Sequence, residues 1–385
     1  MAKLGEFIKQ IRGVSYKPED VYDELTDESV ALLRANNIKD GRLNFQDIIY
    51  VRKGCVKENQ YLRFGDILVC TSSGSKDLVG KATFVDHDLP MTFGAFCKVV
   101  RTTSGVPQYF GHFFDSPYYR RKISDASAGA NINNIRNEHI DEIEIQLPSL
   151  DAQQQIISVL NKTNYLISLR KQQLDKLDEL VRARFVEMFG DLLSNTMHWT
   201  FKPLAELCDV RDGTHDSPKY HINGYPLLTS KNFTNGFVDF KNASLISKED
   251  FEAINQRSKV DYGDIVMPMI GTIGHPVIID TDQPFAIKNV ALIKFLDNGI
   301  SNIFIREILD SNYFKAVIQE KNRGNTQKFI ALGDIRKIMI PLVPSEVQSK
   351  FSDFANAINQ QRLTIRQGLD KLETLKKALM QQYFG

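Results

Sequence analysis

Two stretches of the chain carry apolar side chains at intervals of seven residues. The first, residues 152–188, contains neither glycine nor proline and places them at Leu160, Ile167, Leu174, Val181 and Met188. The second, near 346–382, places them at Phe351, Ile358, Ile365, Leu372 and Leu379. A sustained seven-residue spacing is typical of helices that pack against one another. The pattern therefore predicts two long helices, and the first would be about 55 Å long.

Outside these stretches, the apolar residues form short runs that turn residues separate. Such runs are typical of β-strands. The predicted strands are 48–51, 66–70, 143–147, 264–267, 276–279, 290–293 and 338–342. Residues 110–123 and 304–320 instead show the spacing of helices. Residues 1–150 and 191–345 are therefore predicted to be globular regions of mixed α and β structure.

The two halves of the chain are related by an internal repeat. Residues 115–119 (DSPYY) recur 195 positions later as 310–314 (DSNYF), and this register continues without a gap to residue 385. A repeat of this length indicates a duplicated unit. We divide the chain into a first globular domain (1–150), a central long helix (151–190), a second globular domain (191–345) and a C-terminal long helix (346–385).

The two long helices are expected to pack on each other. Their apolar series favour different positions of the repeat, as two unlike partners in one seam would need. The predicted seam contains Leu160, Ile167, Leu174, Leu177, Val181, Ile358, Ile365, Leu369, Leu372 and Leu379. An antiparallel pair would relate two similar globular domains by a pseudo-twofold axis. Because each domain mixes helices and strands, the predicted fold class is α+β, with two similar domains separated by two long antiparallel coiled-coil helices. The alternative is that each helix packs only on its own globular domain.

Composition and charge narrow the function classes. The formal net charge is +1, so a nucleic-acid-binding surface would have to come from local basic patches. Cys55, Cys70, Cys97 and Cys208 form no C-x-x-C pair, and we interpret them as reduced core thiols without a zinc site. The sequence shows neither a signal peptide nor an apolar run of the ~20 residues that a membrane span needs. A soluble cytoplasmic protein is expected.

Several motifs occur in an order that resembles one protein family. The second half contains an opening loop, a glycine-containing core and a proline-containing junction before the long helix, at 212–220 (DGTHDSPKY), 262–265 (YGDI) with 271–274 (GTIG), and 340–348 (IPLVPSEVQ). The first half repeats the junction at Leu147-Pro148 but carries residues 12–16 (RGVSY) where D-G-T-H would stand. Over its whole length, the chain resembles the specificity subunit of Type I restriction–modification enzymes.

The resemblance implies a division of labour within a larger enzyme. The globular domains 1–150 and 191–345 would be the first and second target recognition domains. Each would read one half of a split site in double-stranded DNA, and the helix pair would set the spacer between the halves. Two modification subunits would dock on the helices and methylate adenine N6, and restriction subunits would join them to cleave DNA. The chain itself would bind no cofactor, because S-adenosylmethionine, ATP and Mg would bind to the partner subunits.

Polar loops supply the candidate DNA contacts, because reading base edges needs hydrogen-bond donors and acceptors. In the first half the candidates are Ser15, Tyr16, Lys17, Arg34, Asn36, Asn37, Ser72, Ser73, Lys76, Asn131 and Asn133. In the second half they are Thr214, His215, Lys219, Tyr220, Ser230, Lys231, Asn232, Thr272, Asn325 and Lys328. The alternative is that they are ordinary solvated turn residues. His215 and His221 could bind a metal, but no third ligand is evident, so no metal site is predicted.

The sequence lacks the signatures that a stand-alone enzyme would need. An adenine methyltransferase typically has a [DNS]-P-P-[YF] motif, and this chain contains no Pro-Pro. Residues 74–82 (GSKDLVGKA) resemble a phosphate-binding loop but have five residues between the glycines and Ala82 in place of Ser or Thr. The expectation is a non-catalytic specificity subunit. A protein-binding scaffold with lectin- or receptor-like modules and an unrecognised nuclease remain alternatives.

Overall fold

The computed structural model describes residues 2–39, 41–74, 78–128, 134–234, 236–271, 273–296, 298–321 and 329–385. The chain divides into two compact units. Unit 1 comprises Met1–Lys171 with Gln367–Gly385, and unit 2 comprises Gln172–Arg366. Each unit therefore contains one globular region together with half of each long helix.

In unit 1, the strands are β1 (Ala2–Lys3), β2 (Ile8–Arg12), β3 (Val21–Tyr22), β4 (Ser29–Leu33), β5 (Ile38–Lys39), β6 (Arg42–Leu43), β7 (Ile49–Arg52), β8 (Asp66–Cys70), β9 (Ala82–Phe84), β10 (Met91–Phe93), β11 (Cys97–Thr102) and β12 (Glu144–Ile145). The helices that follow are α1 (Pro107–Asp115), α2 (Pro117–Ala128), α3 (Asn137–Asp141) and the 40-residue α4 (Leu150–Phe189). Strands β2-β11-β8-β9 form an antiparallel sheet, and β10-β4-β7-β3 form a second sheet in which β10 and β4 are parallel.

Unit 2 repeats this organisation. Its strands are β13 (Phe201–Pro203), β14 (Cys208–Asp212), β15 (Tyr225–Leu228), β16 (Phe233–Thr234), β17 (Phe237–Val238), β18 (Ser244–Ile246), β19 (Ile265–Pro268), β20 (Val277–Ile278), β21 (Ala286–Ile287), β22 (Val290–Phe295) and β23 (Met339–Pro341). Its helices are α5 (Leu204–Leu207), α6 (Lys248–Ser258), α7 (Asn302–Asp310), α8 (Asn312–Lys321), α9 (Leu332–Arg336) and the 40-residue α10 (Ser345–Phe384). Strands β14-β22-β19-β20 form the counterpart of the first sheet of unit 1, and β18-β15-β21 the counterpart of the second.

We call β2-β11-β8-β9 and β14-β22-β19-β20 the main sheets. In each of them, one inner strand, which we call the central strand, is buried on both faces. In β8, Ile67 and Val69 face the helices of unit 1, while Leu68 and Cys70 face the second sheet. In β19, Ile265 and Met267 face the helices of unit 2, whereas Val266 faces the opposite side. Burial of both faces explains why these strands are continuous apolar runs rather than alternating ones. The predicted strand 66–70 is confirmed.

Within each unit, the two long-helix segments run antiparallel. In unit 1, Leu160 shares an apolar cluster with Met380 and Phe384, and the Lys171 ammonium lies 3.3 Å from the Glu373 carboxylate. In unit 2, the rings of Phe189 and Phe351 are 5.3 Å apart, and Asp178 pairs with Arg362. The predicted α+β fold, with two mixed α/β domains and two long helices, is confirmed.

The predicted seam residues differ in burial. Leu160, Val181 and Ile358 are buried. The others are half-buried, namely Ile167, Leu174, Leu177, Ile365, Leu369, Leu372 and Leu379.

The helices predicted at 110–123 and 304–320 are each interrupted. Ser116 is extended between α1 and α2, and its hydroxyl accepts a hydrogen bond from the backbone N–H of Tyr119 at 3.2 Å. Ser311 separates α7 from α8 in the same way and caps Phe314 at 3.4 Å. A capping serine begins a new helix because it satisfies an N–H that has no partner within the helix. The repeated D-S-x-Y motif is thus a helix-start signal.

The cysteine thiols are free. Cys70, Cys97 and Cys208 are buried and Cys55 is partly exposed, and burial raises the pKa of Cys97 to about 12. No helix in the described parts of the chain is long and apolar enough to cross a lipid bilayer. Among the described residues, no three His, Cys, Asp or Glu side chains are grouped as metal ligands would be.

Candidate nucleic-acid interface

In unit 1, three chain segments meet at one edge of the main sheet. Strand β11 is antiparallel to both β2 and β8, with Lys98 opposite Arg12 and Cys97 opposite Cys70. The ends of β2 and β8 therefore lie beside the start of β11. Asn134 joins this edge through a bridge to Ser72. We call segments 13–17, 71–74 and 94–96, with Asn134, edge 1.

Unit 2 builds the corresponding edge from corresponding strands. Strand β22 is antiparallel to β14 and β19, with Ala291 opposite Asp212 and Val290 opposite Pro268. Ile270 forms a bridge to Phe329, in the position of the Ser72–Asn134 bridge. We call segments 213–220, 269–271 and 288–289, with Phe329, edge 2.

Each edge begins with a glycine, at a point where backbone from another segment of the chain passes too close for any larger residue. A Cβ atom on Gly13 would lie 2.1 Å from the carbonyl oxygen of Gly94, and one on Gly213 would lie 2.4 Å from that of Ile287. The next residue in each case donates its N–H across the gap, Val14 to Phe93 at 2.7 Å and Thr214 to Ile287 at 3.0 Å. Residues 12–16 therefore occupy the place of 212–216, although only the glycine is the same.

His215 is held at edge 2 by oxygen atoms on both sides of its ring. Its Nδ1 lies 2.9 Å from Oδ1 of Asn289, and its Nε2 lies 2.8 Å from Oδ2 of Asp212. The other carboxylate oxygen of Asp212 pairs with Arg257. These hydrogen bonds, first to Asn289 and then to Asp212, raise the pKa of His215. A protonated imidazole can donate from both nitrogens, so the arrangement favours a positive charge at this exposed position.

Asn37 and Asn232 are buried, which corrects their assignment as DNA contacts. The Oδ1 atom of each asparagine accepts a hydrogen bond from the backbone N–H three residues earlier. The donor is Arg34 for Asn37, at 2.8 Å, and Thr229 for Asn232, at 2.9 Å. Their amide groups donate to the carbonyls of Asn44 and Asp239, at 2.8 and 3.0 Å. A buried amide with these partners is not available to a base. Each asparagine instead fixes a short 3-10 turn that precedes a hairpin.

These turns present neighbouring polar side chains beside the edges. Strand β4 runs parallel to β10, and the N–H of Gly94 at edge 1 donates to the Leu33 carbonyl at 2.9 Å. Arg34 is the next residue after Leu33, so it lies beside edge 1. The Arg34 guanidinium donates to the Asp47 carbonyl at 2.7 Å. In unit 2, the backbone N–H of Lys288 at edge 2 donates in the same way to the Leu228 carbonyl at 2.9 Å. Ser230 and Lys231 therefore lie close to edge 2.

The remaining predicted residues divide by exposure. Exposed candidates are Ser15, Tyr16, Lys17, Asn36, Lys219, Tyr220 and Lys231, and half-buried candidates are Arg34, Ser72, Ser73, Thr214 and Ser230. The Lys17 ammonium lies 3.4 Å from the Glu19 carboxylate, where both side chains are largely exposed. Six predicted residues lie outside the described residues, namely Lys76, Asn131, Asn133, Thr272, Asn325 and Lys328.

Sequence reasoning missed several edge residues. Asn289 was overlooked because its partner His215 is 74 positions away, and its φ of 56° is visible only in the structure. Phe96, Ile270 and Phe329 were overlooked because they are apolar, yet they are 70%, 47% and 47% exposed. The nearby glycines Gly94 and Gly271 were the available signal, since glycine next to a strand often marks a turn.

Comparison with known proteins gives a family match for both halves. A family model described as "Type I restriction modification DNA specificity domain" matches residues 2–179 and again 197–374. The EcoKI specificity subunit of Escherichia coli (strain K12) is 32% identical over 270 residues, and the StySPI specificity subunit of Salmonella potsdam is 39% identical over 188 residues. The matched regions cover 66% and 49% of this chain but only 58% and 41% of those relatives.

A solved structure supports the fold assignment over the whole chain. The S subunit of a Type I restriction–modification system from M. genitalium superposes with a TM-score of 0.58 at 14% identity, covering 100% of this chain and 95% of that one. At this identity, the likeness concerns the fold alone.

Proposed function

Because the chain belongs to the family of Type I restriction–modification DNA specificity domains, we propose that it is a non-catalytic subunit whose two units each read one half of a split DNA site. It acts on double-stranded DNA and carries out no chemistry itself. Methylation of adenine and cleavage of DNA are assigned to partner subunits.

The observation that carries this proposal is one scaffold with two different surfaces. Both edges share the glycine, the short parallel bridge beside it and the bridge that follows the central strand. The side chains on that scaffold differ, with Ser15 and Phe96 at edge 1 and His215 and Asn289 at edge 2. A shared scaffold with different side chains is what two duplicated surfaces need in order to recognise different half-sites. Contacts to bases specify the sequence, whereas the scaffold only positions the side chains that make them.

The chemistry of the exposed side chains suits duplex DNA. Hydroxyl, amide and imidazole groups at the edges can exchange hydrogen bonds with base edges. Lys219 and Lys231 are exposed cations that can contact phosphates. Binding through such cations weakens as salt concentration rises, whereas a lectin- or receptor-like scaffold would show neither DNA protection nor this dependence.

The long helices serve as the spacer and the docking surface in this proposal. Two modification subunits dock on them, and restriction subunits join the assembly. S-adenosylmethionine, ATP and Mg are bound by those partners. The antiparallel packing of the helix segments within each unit supports a fixed separation, because a paired helix bends less readily than a single one.

Replacing residues 1–150 with the recognition domain of another family member is expected to change one half-site and leave the other and the spacer unchanged. Unit 2 keeps its whole edge in such a chimera. Adenine-methylation mapping of the complex reconstituted with its modification subunits measures the outcome, with the unaltered chain as control. A change in both half-sites would contradict independent reading.

Inserting seven residues into both long helices, after Lys171 and after Arg366, is expected to lengthen the spacer by roughly three base pairs. Seven residues preserve the apolar seam and add about 10 Å of helix. The same methylation map measures the spacer. A chain with the insertion in α4 alone is the control, because it breaks the pairing of the helices and should lose activity. An unchanged spacer in the double insertion would reject the helices as a ruler.

A further inference from the structure

Phe96 lies in a turn at edge 1 whose backbone is held by hydrogen bonds. The segment from Gly94 to Cys97 is a tight turn, closed by a 2.8 Å hydrogen bond from the Cys97 N–H to the Gly94 carbonyl. The Phe96 carbonyl accepts hydrogen bonds from the Thr71 and Ser72 N–H groups, at 2.9 and 3.2 Å, and from the Thr71 hydroxyl at 3.1 Å. The backbone that carries this ring is therefore fixed to the neighbouring strand end.

The ring itself projects into solvent. Phe96 is 70% exposed, although the next residue, Cys97, is fully buried and begins a core strand. A singly exposed apolar side chain is common on protein surfaces, but this one lies on the candidate interface itself, on a backbone that hydrogen bonds hold in place. Ser15, Tyr16, Ser72 and Asn134 lie along the same edge, so the ring stands among polar groups. An apolar centre with a polar surround is the usual composition of a binding surface.

The corresponding turn in unit 2 is one residue shorter and has a polar residue. There, Lys288, Asn289 and Val290 take the place of the segment from Gly94 to Cys97, as the paired registers of β11 and β22 show. Val290 is fully buried, and Asn289 binds His215. The extra residue in unit 1 is what places Phe96 outside the core. The two edges thus differ in side-chain chemistry at this position, with an exposed ring in unit 1 and an amide in unit 2.

We infer that Phe96 is a specificity-determining residue that contacts the C5-methyl group of a thymine in the half-site read by unit 1. This inference rests on the proposed function. The thymine methyl is the apolar group that the major groove presents among hydrogen-bonding base edges, and phenylalanine is one of the side chains that suits it. The hydroxyl and amide groups beside the ring match the remaining base edges in that groove.

The test combines a protein variant with a change of one methyl group in DNA. The full chain, assembled with its modification subunits, is titrated with duplexes in which each thymine of the mapped half-site is replaced in turn by deoxyuridine. At one position, the unaltered protein should lose about fourfold in affinity, which corresponds to one buried methyl group. Phe96→Ala should bind the thymine duplex at least as weakly and should lose nothing further with deoxyuridine at that position.

Phe64→Ala is the matched control. Phe64 is 48% exposed but precedes β8, at the opposite end of the strand whose other end forms edge 1. It should keep the sensitivity to deoxyuridine. Melting curves of both variants, together with an unchanged second half-site, exclude a loss caused by unfolding.

Several results would overturn the inference. These are an unaltered protein that is indifferent to every deoxyuridine, a Phe96→Ala variant that keeps the sensitivity, and a unit 1 half-site that contains no thymine. If Phe96→Ala abolished a DNA kink that 2-aminopurine fluorescence reports, the ring would be an intercalating wedge instead. Failure of the proposed function would look different, because the unaltered complex would then not distinguish its mapped site from a scrambled duplex.

Discussion

Asp66→Asn is expected to lower the free energy of unfolding of unit 1 by about 1–3 kcal/mol, because it removes the charged partner of the partly buried Arg101 guanidinium from a fully buried position. Asp66 is completely buried at the start of β8, and its two oxygens accept from Nε and Nη2 of Arg101 at 2.7 and 2.8 Å. The carboxylate also accepts the Arg63 N–H at 2.9 Å. Asparagine keeps the size and one acceptor, so the change isolates the loss of charge.

The second unit provides a matched control at the equivalent position. Asp264 pairs with Lys294, but that ammonium also lies 2.8 Å from Asp261, so it keeps a partner in Asp264→Asn. Burial raises the pKa of Asp264, which means that its surroundings already disfavour the charged form. Asp264→Asn should therefore cost less than Asp66→Asn.

The single tryptophan allows the two units to be followed separately. Trp199 packs against the core of unit 2 and donates from its indole N–H to the Phe189 carbonyl at 2.9 Å. In urea, Asp66→Asn should lower the midpoint seen by circular dichroism more than the midpoint seen by tryptophan fluorescence. Unchanged midpoints for both signals would contradict a stabilising role for the Asp66–Arg101 pair.

The same aspartate illustrates how far the sequence leads. The motif G-D-I stands at 263–265 and again at 65–67, and the strands 264–267 and 66–70 were predicted from their apolar runs. Its role could not be predicted, because Arg101 lies 35 residues away and nothing local marks it as the partner. The motif belongs to the core and not to either edge.

Residue type alone misassigned some residues at the candidate site. Asn37 and Asn36 are adjacent and chemically identical, yet the first is fully buried and the second exposed, because only Asn37 turns its amide towards the hairpin. Phe96 was overlooked for the opposite reason. A phenylalanine just before the strand Cys97–Thr102 is indistinguishable from a core residue until the extra residue in the turn is seen.

Gly213→Ala is expected to weaken binding to the half-site of unit 2 by about 5- to 150-fold, the range for losing one good base contact. The new Cβ would meet the Ile287 carbonyl oxygen at 2.4 Å and its carbon at 2.6 Å, and both atoms belong to backbone that cannot rotate away. The loop must therefore move, and with it Thr214 and His215. Overpacking of this kind also costs about 1–3 kcal/mol of stability.

Gly333→Ala serves as the control for the substitution itself. Gly333 lies in α9, and outside its chain neighbours and the helix backbone nothing lies within 4 Å of an added Cβ, so alanine should be neutral or stabilise the helix by about 0.5–1 kcal/mol. Binding is measured on duplexes in which one half-site at a time is scrambled. The loss in Gly213→Ala should appear only when the half-site of unit 2 is intact, and amide exchange in 213–220 should increase. Equal loss on both half-sites would mean that the glycine supports the whole chain and not edge 2, and full affinity would mean that the opening loop does not touch DNA.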